Sequence, residues 1–173
     1  MELEFLGSGE AFDPDLGNTS TVLHAQSKIL VDCGFQIPTK YFQRGFDAEF
    51  LDAIYITHPH GDHVLGLPAL LATLCFNSKR EKPLKIIGQT GTAVHVNKLV
   101  ELSYPTMFNE ATFATEFIET TEPVMVGEVK LSFAETDHSS RNFAVRFEYG
   151  RKSLAISGDG RLTDASRELY SDV

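Results

Sequence analysis

The chain has only two cysteines, Cys33 and Cys75, and each stands alone in an apolar setting ("ILVDCGF", "LLATLCFN"). With no CxxC or comparable spacing, a zinc ribbon and a disulfide framework are both excluded, and the thiols read as buried groups of a reducing compartment. Basic residues are also scarce: 15 Lys and Arg stand against 24 Asp and Glu, a net charge of −9. That balance repels polyanions at long range unless basic side chains cluster or bound cations intervene, so indiscriminate nucleic-acid binding is not expected. No apolar run approaches the roughly 18 residues of a membrane span. The stretch "MELEFLGSGE" carries charges where a secretory signal needs an apolar core, and a cytoplasmic location is the expectation. No fixed-period repeat, low-complexity tract or Pro/Gly/Ser-rich linker interrupts the sequence. Residues 1–173 are therefore expected to form one domain, with 42% apolar residues and 13 Phe to fill its core.

What is present begins with short β-favouring runs. "LEFL", "STVLHA", "KILVD" and "AIYIT" are separated by turn signals and predict strands of one sheet. "GLPALLATLCFN" is too long and too apolar for a strand and starts with Pro near its first turn, which predicts a buried helix. A second helix is expected after Thr90, in "TGTAVHVNKLVELS", with Val94, Leu99 and Leu102 among its apolar positions. "LKIIG", "ATEFIET", "EVKLSFAE", "NFAVRFEYG" and "KSLAIS" are further strand candidates, and "TDASRELY" reads as a capped helix before the threshold of a strand at "YSDV". Strands with interspersed helices predict a layered α/β or α+β domain.

Three of the six histidines and an aspartate crowd into "THPHGDH", directly after an apolar run. His58 and His60 are two positions apart, so on an extended segment their imidazoles share a side. Asp62 and His63 follow Gly61, which permits a sharp turn, so that they can face the same cavity from a second direction. Imidazole nitrogens and carboxylate oxygens suit zinc, manganese or iron, and two such ions about 3.5–4 Å apart can act together on an electrophile in hydrolysis. Isolated histidines are usually surface or satisfied core residues, and His24 and His95 are read that way.

"THPHGDH" matches the HxHxDH signature of the metallo-β-lactamase superfamily, and other features follow in order. "FLGSGEAF" resembles the glycine-rich first turn of the ribonuclease Z-like branch, and "ILVDCG" its strand carrying an aspartate, here Asp32. "ETDHSSRNFAVRFE" resembles the segment that supplies a later histidine, His138, and "LAISGDG" the loop that presents an aspartate, Asp159. The resemblance implies an αββα four-layer sandwich and a hydrolase in which a hydroxide bridging two metal ions, zinc most readily, attacks the substrate. By position, it implies that His58, His60 and His138 hold the first metal, and that Asp62, His63 and Asp159 serve the second. Asp159 would bridge both, and Asp62 would also orient the hydroxide. Asp32 is either a partner that orients a ligating histidine or a structural turn residue.

Two departures from that pattern matter. The family supplies one more histidine, well after the aspartate motif, whereas no histidine follows His138 and only 14 residues follow Asp159. The expectation is a chain that lacks the last strands and helices of the sandwich, with a weakened second metal site and a tendency to form homodimers. Furthermore, His138 and Asp159 stand 21 positions apart, which leaves no room for the long glycine- and proline-rich arm with which bacterial ribonuclease Z grips tRNA. Without the arm the chain resembles the small phosphodiesterases of the superfamily, including those acting on cyclic phosphates, which implies a small phosphodiester as the favoured substrate class and RNA as the less favoured one. Arg141 and Asn142, just past His138, are the candidate phosphate contacts, a plain surface arginine being the alternative at Arg141. Thioester or lactone hydrolysis and a metal-binding but inactive chain remain open alternatives.

Overall fold

The computed structural model describes residues 1–173. Its chain order is β1 (Glu2–Gly7), β2 (Ser20–His24), β3 (Lys28–Val31), α1 (Ile37–Gln43) and β4 (Ala53–Tyr55). There follow α2 (Gly61–Val64), α3 (Leu67–Ala72, extended by a π-helical turn Thr73–Asn77), β5 (Leu84–Gly88), α4 (Thr92–Ser103) and α5 (Met107–Glu110). The chain continues through β6 (Thr115–Glu119), β7 (Val124–Val126), β8 (Val129–Thr136), β9 (Asn142–Tyr149) and β10 (Lys152–Ile156), and ends with α6 (Asp164–Leu169).

These strands make two sheets. The first runs β1-β2-β3-β4-β5-β6, antiparallel across β1, β2 and β3 and parallel from β3 to β6; the second runs β10-β9-β8-β7 and is antiparallel throughout. Residue alternation in the first sheet builds both of its interfaces at once. Val22, Leu30, Ile54 and Ile86 point to the helical layer and meet Ile37, Leu67, Leu70, Val96 and Val100. Leu23, Ile29, Tyr55 and Ile87 point the other way, onto Val129, Leu131, Val145 and Phe147 of the second sheet. Tyr55 joins the two sheets by a polar link as well, its hydroxyl donating to Phe143 O at 2.9 Å. Helix α6 covers the outer face of β8 and β9 and completes the expected αββα order of layers. No helix is long and apolar enough to cross a membrane.

Several expectations need correcting. Helix α4 forms, but Val94 and Leu102 are 58% and 85% exposed. Its buried face is Thr92, Val96 and Val100, spaced by four so that they stack on one side, while Leu99 is only partly covered. "YSDV" forms no strand: after α6 the chain turns, and its carbonyls accept hydrogen bonds from the Arg146 guanidinium. The short α1, α5 and β7 carried too few periodic residues to be legible. Arg80 is wholly buried, although arginine is ordinarily a surface residue. Its guanidinium donates to Ala48 O, Leu51 O and Pro83 O at 2.6, 2.7 and 3.0 Å, tying the loop before β4 to the loop before β5.

Candidate metal centre

The parallel strands β3, β4 and β5 end at the same edge of the first sheet, and the chemistry gathers there. Just past β3, Asp32 adopts a left-handed φ of 59°, a conformation that Asp tolerates better than most residues. Its backbone N–H donates to Tyr55 O at 2.8 Å, and its carbonyl accepts from the Ser20 hydroxyl at 2.8 Å. The carboxylate then faces inward and accepts three hydrogen bonds: from Thr57 N at 2.8 Å, Thr57 Oγ1 at 2.7 Å and His63 Nδ1 at 2.7 Å. Beyond it, the metal loop presses on glycine. A Cβ on Gly34 would lie 2.0 Å from Asp62 O, so a side chain there would push α2 away.

This network fixes how the rings face. The single Thr57 proton goes to Asp32, so Thr57 Oγ1 accepts from His58 Nδ1 at 3.0 Å, and His58 Nε2 is left with its lone pair toward the cluster. In the same way, the His63 bond to Asp32 turns His63 Nε2 toward Asp62 and Asp159, with Oδ2 of each at 3.3 Å. His58 Nε2 and His60 Nδ1 are 3.0 Å apart, and His138 Nε2 lies 3.2 Å from His60 Nδ1. Two nitrogens bound to one tetrahedral zinc at about 2.0–2.1 Å stand roughly 3.3 Å from each other, so this set of donors fits such an ion with little movement. The result is two triads, His58–His60–His138 and His58–His63–Asp159, each with its donor atoms within 4.8 Å of one another. They share His58, and Asp62 adjoins the second.

The proton distribution follows from burial and charge. Burial, reinforced by the neighbouring His63, pushes His58 down to about 3, so its ring is neutral and free to ligate. Burial works against a charge on His63 too, but its hydrogen bonds to Asp159 and Asp32 win and raise it to about 10. Asp159 is correspondingly held low, chiefly by its bond to His63. A proton on His63 Nε2 therefore occupies the place between the carboxylates that a divalent cation would take.

A cavity of about 190 Å³ opens beside His58. Ile56, Val64 and Val96 give it apolar walls, while Gln89, His95 and Arg141 are among its polar groups. Arg141 is held in place there: Nε and Nη2 bond Glu135 Oε2 at 3.1 and 2.9 Å, and the guanidinium lies over the Phe143 ring. Asn142 is not beside it. The Asn142 side chain is wholly buried and donates to Thr136 Oγ1 and Ser157 O, because β9 begins at this residue and alternation turns the side chain into the protein. Thr57 was the least legible member of the site, since its hydroxyl looks in the sequence like an ordinary strand-end threonine. His95 and Gln89 enter only because β5 and α4 pack beside the metal loop. His24 bonds Glu4 at 2.9 Å and sits edge-on to Phe50.

Two sheets between helical layers, with clustered histidines and carboxylates at the strand ends, define the metallo-β-lactamase fold. Human tRNase Z, short form (ELAC1), superposes with a TM-score of 0.80 at 26% identity over 98% of this chain and 74% of that one. The metallo-β-lactamase fold protein YhfI from Bacillus subtilis superposes at 0.74 and 22% identity, over 94% of this chain and 63% of that one. The ribonuclease Z of Clostridium tetani is 35% identical over 164 residues, which make up 88% of this chain and 52% of that protein. The chain thus spans about half the length of the ribonuclease Z proteins that it matches. Residues 1–172 match the family model described as "Anti-Pycsar protein Apyc1", and the chain belongs to that family.

Proposed function

We propose that this chain is a metal-dependent hydrolase whose substrate is a phosphodiester, with His58, His60 and His138 holding one divalent ion and Asp62, His63 and Asp159 a second. The observation that carries the reading is the pair of donor triads sharing His58. Divalent ions bound there, zinc most readily, supply Lewis acidity and make water acidic enough to furnish a nucleophile near neutral pH. The protein residues do the positioning. Asp32 and Thr57 fix the tautomers of His63 and His58, and Asp62 and Asp159 bring negative charge to an otherwise imidazole-rich site. Arg141, already oriented by Glu135 and Phe143, stands where an anionic phosphate lying across the site would be met by a cation.

Support for a small substrate over structured RNA comes from the interval between His138 and Asp159. It is filled by β9, the Gly150–Arg151 turn and β10, with no arm extending from it. Similarity to a ribonuclease Z and to human tRNase Z makes RNA the second reading. Metal-loaded protein assayed on bis-p-nitrophenyl phosphate, a thioester, a lactone and a pre-tRNA separates these readings. Turnover of the phosphodiester alone is expected; turnover of only the thioester or lactone overturns the substrate class, and pre-tRNA cleavage favours the second reading.

A further inference from the structure

We infer that Asn142 is a positioning residue, clamping the loop that carries Asp159 and thereby setting the second metal position. The inference rests on reading Asp159 as a ligand. The Asn142 amide spends both protons on holding this region together: one goes to Thr136 Oγ1 at the end of β8, the other to Ser157 O, at 2.9 Å, where the loop begins. The amide orientation is not arbitrary. Turned over, its oxygen would face the Ser157 carbonyl oxygen, and two acceptors would oppose each other.

The loop is pressed onto this pair so tightly that only glycine fits on either side of Asp159. A Cβ on Gly158 would stand 2.4 Å from Asn142 Oδ1, and one on Gly160 would stand 1.8 Å from Thr136 Oγ1. Gly158 also has a φ of 60°, which glycine adopts without strain. Two glycines around one functional carboxylate give a floppy segment unless something fastens it, because glycine has the most backbone freedom to lose. Asn142 fastens the near end. The far end is fastened by Asp137 and Arg161, which exchange backbone hydrogen bonds at 3.1 and 2.7 Å, and by the Thr163 hydroxyl, which donates to Glu135 O at 2.8 Å.

Both fastenings therefore lead to the segment Glu135–Asn142, which also carries His138. One rigid piece thus fixes a donor of the first triad and a donor of the second, while Asn142 itself touches neither ion position. A residue that merely filled space would tolerate any side chain of similar shape. A clamp requires the N–H donors.

The test is a zinc titration of the whole chain against a competing chelator, with wild type, Asn142→Asp, Thr136→Val and Thr136→Ser compared, and thermal melting of each metal-free protein to monitor folding. Asn142→Asp keeps the shape but sets an acceptor against Ser157 O. The first zinc equivalent should bind as in wild type and the second about 10–100-fold more weakly, the usual range for loss of a residue that supports a ligand. Thr136→Val should weaken the second equivalent in the same direction, and it carries the test should Asn142→Asp not fold; Thr136→Ser, which keeps the hydroxyl, should behave as wild type. Unchanged binding of the second equivalent in the Asp and Val variants overturns the clamp, as does equal weakening of both equivalents. A wild-type chain that binds fewer than two equivalents overturns the dinuclear reading itself, and the clamp with it.

Discussion

His63 Nδ1 lies 2.7 Å from Asp32 Oδ2, and both side chains are almost wholly buried. The same Asp32 oxygen accepts the Thr57 hydroxyl, and Thr57 in turn accepts His58, so one carboxylate orients His63 of the second triad and His58, which both triads share. Replacing it with Asn removes the charge yet suits the left-handed backbone at this position, since Asn tolerates that region. Asp32→Asn should therefore fold and bind zinc about 10–100-fold more weakly. Chelator competition measures this, and binding within twofold of wild type would remove Asp32 from the orienting role.

The metal-free chain should be most stable near the ordinary histidine pKa of 6.5. His58 is depressed to about 3, so the stability associated with its neutral ring is present above pH 6.5 and is lost as pH falls toward 3. His63 is raised to about 10, so its contribution is complete below pH 6.5 and is lost as pH rises through 10. Melting temperatures of the apoprotein across pH should trace that maximum. His63→Gln should flatten the alkaline side, and zinc should do the same by replacing the proton. An alkaline decline equal in the variant and in wild type would contradict the assignment.

Arg80 acts on stability rather than chemistry. Arg80→Met keeps the length of the side chain but leaves three loop carbonyls without their donor, at a cost of about 3 kcal/mol, measurable by urea unfolding. Leu102→Glu, on the exposed face of α4, should change stability by less than about 0.5 kcal/mol. Comparable effects of the two would mean that the loops are not tied by Arg80.

Arg141→Ala should raise KM for a phosphodiester roughly tenfold, the scale of one charge-assisted hydrogen bond, with kcat little altered. A fall in kcat at constant KM would place the arginine in the chemical step instead.

Much of this was legible in the sequence because the fold repeats a short-range rule. Strands such as "KILV" and "NFAVRFEY" announce themselves by β-branched and aromatic residues, and "HPHGDH" packs donors so densely that a local reading finds the site. Partners that depend on distant packing were not legible. Thr57 gains its role from Asp32, which β3 delivers across the sheet, and Arg80 is buried only because loop carbonyls converge on it. Asn142 reads in the sequence as a phosphate contact beside Arg141, but its position at the start of β9 turns it inward. On α4 the apolar positions Val94 and Leu102 stay exposed, because they lie on a side that the sheet does not cover.

Elemental analysis of the purified chain after zinc loading and removal of excess metal addresses the central claim most directly. Two equivalents per chain are predicted for wild type, with loss of the first-site equivalent in His60→Ala. Wild-type protein that retains no metal, or His60→Ala protein with an unchanged metal content, would contradict it.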